Sequence, residues 1–368
     1  MLLKIKAENL QSLGENTLKS KEDNKKTAIR VSENRLNIVS YSNITYFTAS
    51  ADLEEVIEAS DEWIAIDSDT LKRYLSVLPK NDAIITIDNS EDSRLTIKNG
   101  KSVFRIPIVL GEKIKEEKNL EELATVDIMD FSNKIADVNK LTSKSTHNDK
   151  TQFLHLLFEK DGIKLMGTDK VAIAEHVISA DSDREESFLF TSNMINLFPV
   201  INTSEPWTLV KTETRFGLKD LNNNLYLIGV VDESPLNYKP IKSLVVKPDD
   251  SEYRSVTLDS KEFKKKISDM SKINNNSASL GIAFTQDGFF IYNREGDRIE
   301  INSDYDNSMN LTMGMNMNSL LVLSNIFAGD IKMSFRASDQ TERVFRTVVR
   351  FENVDSPDLF MGVSTDDK

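Results

Sequence analysis

Apolar residues recur in this chain at two spacings, and the order of those spacings repeats three times. Phe131, Ile135, Val138 and Leu141 fall three or four residues apart, as do Phe263, Ile267, Met270 and Ile273. That spacing places one apolar stripe on a helix. Residues 4–18, 127–141 and 258–273 therefore each read as the end of a strand followed by an amphipathic helix, with Ser132 and Ser260 as the expected N-caps of the second and third. A strand pair follows each helix, at 35–50, 162–179 and 288–304. Residues 66–87, 190–211 and 313–335 then share one further plan. Each has a strand-like pair with a polar residue, an apolar helical stretch, a turn and an alternating strand. Two alternating strands close each unit, the last within 94–108, 215–231 and 346–363. Asn99–Gly100 and Asp161–Gly162 are hairpin signals.

Aligning Leu71, Met194 and Leu320 gives spacings of 123 and 126 residues. That period is the size of a domain and too long for a solenoid repeat. The expected organisation is three similar α+β domains, 1–120, 121–244 and 245–368, each with two helices on one face of antiparallel sheet. The junctions fall in a charged stretch at 111–122 and in residues 235–250, which hold three prolines.

Composition narrows the chemistry. None of the 368 residues is Cys, which excludes disulfides, zinc–thiolate sites, iron–sulfur clusters and Cys nucleophiles. No apolar run approaches the roughly 20 residues that span a bilayer, and the first residues are too polar for a signal peptide, so a soluble, cytoplasmic protein is expected. The net charge is −13, yet residues 4–26, 66–80, 127–150 and 258–272, which carry the helical patterns, are each neutral or net basic, so the acidity lies elsewhere. A basic helical face on an acidic protein suits a polyanion. Solvated lysines on helix surfaces would give the same balance.

Catalytic signals are poor. His147, His155 and His176 lack metal-ligand spacing, and no Walker loop, dinucleotide glycine pattern, nucleophile elbow or kinase motif is present. The acidic stretch 181–186 and the pair Asp304 and Asp306 lack the glycine and terminal Glu of an EF-hand. A non-enzyme with no cofactor and no metal is expected. A multi-domain β-rich structural or interaction protein that does not bind DNA stays open as the alternative.

Several segments, in order, resemble the bacterial DNA polymerase III β subunit, the sliding-clamp family. Residues 63–109 are similar to its first-domain helix, LP turn, hairpin and interface strand; THNDKTQ at 146–152 with FLHLLFE at 153–159 resembles the start of its second-domain sheet. IKLMGTDKVAIA at 163–174 resembles the strand that ends in TDGHRLA, and LFMGV at 359–363 resembles the final apolar strand. The likeness covers essentially the whole chain and rests on order, spacing and repetition. Departures are Lys170-Val171-Ala172-Ile173 in place of Gly-His-Arg-Leu, and an acidic tail after Gly362-Val363. They fit a divergent member of the kind carried by a phage or mobile element.

The resemblance implies a ring of two protomers around duplex DNA, with helices lining the hole. It assigns DNA contact to Lys21, Lys25, Lys72, Arg73, Lys134, Lys140, Lys144, Lys150, Lys264, Lys265 and Lys272. It assigns the homodimer contact to Phe104 and Ile106 against Met270 and Ile273 of the other copy. It assigns a pocket for short peptide motifs of a DNA polymerase and a clamp loader to Phe153, Thr168, Ile173, Pro235, Ile241, Val344, Leu359, Phe360, Met361 and Val363. Both peptide-binding segments carry the departures, which implies a changed partner set.

Overall fold

The computed structural model of the protein describes all residues except 20–21, 23–24, 61, 80–82, 92, 143–149, 161, 181, 183, 199–203, 244, 246–252, 274–278, 306–308, 337–347, 356–358 and 367–368. Lys21, Lys144, His147, Asp161, Asp306 and Val344 lie outside the described residues.

The chain divides into two compact units. One comprises Met1–Met129 with Asn196–Val230. It holds a five-stranded antiparallel sheet in the order Glu55–Glu58, Leu2–Lys6, Ile84–Glu91, Arg94–Asn99, Ser102–Pro107. Its second sheet has eight strands, in the order Glu121–Asp127, Pro206–Lys211, Arg215–Lys219, Leu225–Gly229, Thr45–Asp52, Arg35–Tyr41, Lys26–Ser32, Ile64–Ile66. Helices Ala7–Thr17 and Ser68–Val77 pack on each other. Leu10, Leu13, Leu71 and Leu75 join Ile5, Ile85, Ile97 and Ile106 in one buried cluster.

The other unit comprises Asp130–Ile195 with Val231–Lys368 and contains a twelve-stranded sheet. Its main path runs Glu186–Thr191, Phe153–Glu159, Gly162–Thr168, Ala172–Ile178, Leu359–Asp366, Leu311–Asn316, Ser279–Thr285, Gly288–Tyr292, Arg298–Glu300. Tyr253–Asp259, Asp330–Arg336 and Val348–Asn353 branch from Leu359–Asp366. Helices Ser260–Ile273 and Met317–Ile326 pack together and bury Phe263, Ile267, Met270, Leu320 and Leu323. The helix Ile128–Asn139 buries Phe131, Ile135 and Val138, as its periodicity predicts. The described second helix of the middle repeat is a single turn, Ser192–Ile195.

The repeat is therefore visible strand by strand. Each copy runs strand, helix, four strands, helix, three strands, with one additional short strand, Glu55–Glu58, in the first. Two pairings knit successive copies. Leu225–Gly229 of the second pairs with Thr45–Asp52 of the first, and Leu359–Asp366 of the third pairs with Ala172–Ile178 of the second.

Strands pass into helices with at most one residue between, so the residue that precedes the helix acts as the cap. Asp67 accepts from the Thr70 N–H at 2.7 Å, Asp259 from Glu262 at 2.7 Å, and Asn316 from Ser319 at 3.1 Å. The expected caps Ser132 and Ser260 do not serve. Ser132 is inside its helix and Ser260 is the first helical residue, where a side chain sits too late to meet the free N–H groups. The hydrogen bonds from Thr70 also hold the Asp67 carboxyl below its ordinary pKa. Asp67→Ala should cost about 1 kcal/mol of unfolding free energy, while Ser132→Ala should change it by under about 0.5 kcal/mol. Urea denaturation of the two variants checks both.

Candidate nucleic-acid face, strand edges and partner groove

The predicted basic residues separate into two groups. Lys264 and Lys265 are exposed on the helix Ser260–Ile273 and form no ion pair with a described residue. Lys72 and Arg73 are exposed on the helix Ser68–Val77. The Arg73 guanidinium donates to the Asp69 carbonyl at 3.3 Å and to the Thr70 hydroxyl at 3.0 Å. Lys25 lies near enough to Lys72 to feel its charge. Burial first, and Lys72 second, lower the Lys25 pKa against the raising effect of Asp69. The other group is engaged within its own unit. Lys134 is largely covered, donates to the Val177 carbonyl at 3.0 Å and pairs with Asp130 at 3.0 Å, so it does not offer a free ammonium to phosphate. Lys140 pairs with Asp137 at 2.7 Å and Lys272 with Asp269 at 3.1 Å, both in exposed positions where such pairs exchange readily. Lys150 donates to the Ser234 hydroxyl at 2.6 Å.

The knitting of the repeats leaves two strands without the corresponding neighbour. Among the described residues, Ser102–Pro107 pairs on one side only, with Arg94–Asn99, and Arg298–Glu300 only with Gly288–Tyr292. Along the first edge Val103 is 45% exposed, and Phe104 is half-buried against Tyr74 at 5.1 Å between ring centroids. Ile273 is 47% exposed. Ile106 and Met270 are fully buried in their own cores, which corrects their assignment to a subunit contact. Strand alternation turns Ile106 inward, and the stripe Phe263, Ile267, Met270 leaves the core before Ile273.

Each junction is crossed by a linker that lies on a sheet. In the first unit, residues 111–120 are held by ion pairs. Glu112 meets Lys26, Glu116 meets Arg30 at 3.1 Å and accepts from the Trp63 indole at 2.9 Å, and Glu117 meets Arg215 at 3.0 Å. The Tyr41 hydroxyl donates to the Lys113 carbonyl and accepts from the Lys115 N–H, each at 3.2 Å. In the other unit, residues 235–243 and Val245 cross the face that carries Leu157, Met166, Glu175 and Phe360. Lys242 pairs with Glu175, the Tyr238 ring stands edge-on to His155 at 4.9 Å, and Val245 bridges to Val348.

A groove of about 840 Å³ stays open beside this second linker. Leu157, Met166, Val177, Leu236, Tyr238 and Phe360 supply its apolar lining. Lys164, Lys239, Lys242 and Arg350 stand around it with Glu159 and Glu175. Of the predicted pocket residues, register puts Phe153, Thr168, Ile173 and Phe360 on this face, but only Phe360 lines the groove. Leu359, Met361 and Val363 point to the opposite face and are buried, because residues one apart on a strand face opposite ways. Pro235 is exposed at the start of the linker. The backbone of Ile241 lies in the short helix Lys239–Lys242.

Solved structures match the chain from end to end. The DnaN sliding clamp (DNA polymerase III subunit beta) of Pseudomonas aeruginosa, bound to griselimycin, superposes with a TM-score of 0.82 at 14% identity over all of both chains. The sliding clamp of Bacillus subtilis gives 0.81 at 14% identity over 100% of this chain and 99% of that one. The DNA polymerase III β subunit of Thermotoga maritima gives 0.76 at 16% identity over 100% and 99%. The chain has the sliding-clamp fold. No family model matches its sequence, and no curated protein matches it.

Within this clamp fold the sequence reading missed Leu157, Met166, Val177 and Tyr238. A signal was present. Phe153–Glu159 and Gly162–Thr168 are apolar at both parities, which marks strands covered on both faces, by helices on one side and by a linker or ligand on the other. His155 belongs to the covered part. It is fully buried, its Nε2 lies 3.4 Å from the Lys150 carbonyl, and its Nδ1 has no hydrogen-bond partner among the described residues. Burial lowers its pKa to about 4, outweighing the carbonyl contact that favours the charged form. The unfolded chain takes up this proton near pH 6.5 and the folded protein only near 4, so folding stability falls as pH drops through that window. Between pH 7 and pH 5 the loss from this site should be about 2 kcal/mol. Urea unfolding at the two pH values should show that loss, and His155→Phe should remove it.

Proposed function

We propose that the protein is a DNA sliding clamp, a non-catalytic ring that encircles duplex DNA and tethers a polymerase and other replication proteins. The observation that carries this reading is the triple strand-and-helix repeat, matched over its whole length to the sliding-clamp fold. The three domains are residues 1–120, 121–244 and 245–368. Two copies close the ring. The junction pattern is completed when Ser102–Pro107 of one copy pairs with Arg298–Glu300 of another, as the closing strands of the second and third repeats pair within the chain. Such pairing also removes two open strand edges. Val103, Phe104 and Ile273 are the apolar side chains at hand for that contact.

Lys72, Arg73, Lys264 and Lys265 are the phosphate-facing residues we assign, with Lys25, Lys140, Lys150 and Lys272 able to exchange their present partners for phosphate. Retention is topological, so contacts are few and sequence-independent. The acidic remainder of the chain disfavours other modes of DNA binding.

Small-angle X-ray scattering over a concentration series tests the architecture. A mass of two chains with the profile of a hollow ring is expected, and a compact dimer without a hole would overturn the reading. Val103→Asp should move the equilibrium toward monomer. Replacing Lys72, Lys264 and Lys265 together by Glu should weaken binding to nicked circular DNA and lower the slope of log affinity against log salt by about one per lost contact. An unchanged slope would remove these lysines from the interface.

A further inference from the structure

The helix Ala7–Thr17 carries Asn9, Ser12 and Asn16 on one side, at spacings of three and four residues. They line a pocket of about 560 Å³ built entirely within the unit Met1–Met129 with Asn196–Val230. Trp207 and Tyr226 form its aromatic wall, their rings stacked at 5.4 Å and 17°. Ala49 and Ala51, small residues of the strand Thr45–Asp52, leave the space open. Trp207 is 6% exposed, yet its Nε1 is buried with no hydrogen-bond partner among the described residues. An unpaired buried donor costs about 1–3 kcal/mol, which a ligand bringing an acceptor would recover. The charges around the pocket are already matched. Arg35 pairs with Asp52 at 3.1 Å. Asp220 accepts from the Asn222 N–H, the Asn224 N–H and the Asn224 Nδ2, each at 2.8 Å. The Ser50 hydroxyl donates to Asn224 Oδ1 at 3.0 Å, which fixes this turn as a second wall. Burial raises the Tyr226 pKa, so its hydroxyl keeps its proton. Asn9, Ser12, Asn16 and Asn222 make no side-chain hydrogen bond with a described residue. What is left uncommitted is neutral: amides and a hydroxyl beside an aromatic wall. Phosphate finds no spare cation here, and a metal ion no spare carboxylate.

We propose that this pocket binds one unstacked nucleobase, whose ring edge takes the Trp207 indole N–H and the free asparagine amides. The proposal rests on the clamp reading for why a base is at hand, but its test needs no DNA. An asparagine amide offers a donor and an acceptor side by side, the pattern that a base edge complements. The indole only donates, and a ring nitrogen or carbonyl oxygen of a base is the acceptor it lacks. Aromatic walls with amide groups are how single bases are held once they leave a stack. About 560 Å³ suits a ligand of nucleoside size. The helix Ala7–Thr17 also packs against Ser68–Val77, whose Lys72 and Arg73 we assign to phosphate. A backbone held there runs about one helix diameter, roughly 10 Å, from the pocket. Unstacking a paired base costs a few kcal/mol, and least where the base is mismatched or single-stranded. The pocket therefore favours such bases over those of an intact duplex.

The chain holds two tryptophans, Trp63 and Trp207, so Trp63→Phe leaves the pocket indole as the sole one. Its fluorescence, excited beyond nucleoside absorption, is titrated in the full-length protein with adenosine, guanosine, cytidine, thymidine, ribose and inorganic phosphate. If Trp63→Phe lowers the thermal midpoint, fluorine NMR of the natural sequence labelled with fluorotryptophan gives the same readout. A saturating change with a nucleoside is expected, and none with ribose or phosphate. Asn16→Leu should weaken nucleoside binding about five-fold, the loss of one hydrogen bond. Ser12→Phe should fill the space and abolish binding with an unchanged thermal midpoint. No response to any nucleoside, an equal response to ribose or phosphate, or full binding by Ser12→Phe would overturn the proposal. Small-angle scattering is recorded on the same samples. A hollow ring without a nucleoside response rejects the pocket alone, and a saturating response from a protein that forms no ring rejects the clamp reading alone.

Discussion

Backbone pairing across the repeat junctions is the constraint on which the rest of this fold depends. A four-stranded half-sheet exposes a row of N–H and C=O groups at its rim, and leaving them unpaired is costly and invites aggregation. Here Tyr226 to Phe47 and Ile228 to Thr45 mark the register of one junction, and Ala172 to Val363 through His176 to Leu359 that of the other. Once those registers are set, the linkers must cross the face opposite the helices. Their course, the faces they cover and the groove left open all follow.

The two linkers solve the same geometric problem with opposite charge. Residues 111–120 bring Glu112, Glu116 and Glu117 down on Lys26, Arg30 and Arg215. Residues 235–243 bring Lys242 down on Glu175. The Arg215–Glu117 pair is almost buried, and Arg215 also donates to the Ser42 carbonyl at 3.0 Å and the Asn43 carbonyl at 3.3 Å. A buried pair so supplied with hydrogen bonds fixes the position of a segment more than it adds stability, since removing one partner strands the other charge. The acidic linker is consumed in this way. The basic one retains Lys239, so positive charge survives beside the second linker.

Helix positions were legible from sequence because helical burial is periodic over neighbouring residues. Phe131, Ile135, Val138, Phe263, Ile267 and Met270 are buried as their spacing required. The caps were misread by a few residues, since the strands run into the helices without a loop and Asp259 takes the role expected of Ser260. The partner face was misread by parity. Phe360 reaches the groove whereas Leu359 and Met361, its neighbours in sequence, pack against the opposite side. The assignment of Lys134 to a nucleic-acid face failed for a related reason. Its stem and ammonium are taken by Asp130 and the Val177 carbonyl, a contact between segments more than 40 residues apart.

The amino-acid sequence by itself determined the element order and its triple use at spacings of 123 and 126 residues. These are properties of residues close together in the chain, where a period of two or of 3.6 fixes which side chains share a face. Only the tertiary structure decided which face each closing strand turns to the linker, that Val245 and Val348 fill the space over Gly362, and which strand edges stay open. Register between distant strands is a collective choice. Shifting one strand by a single residue exchanges its two faces, and no local pattern in a strand apolar at both parities records which face was chosen.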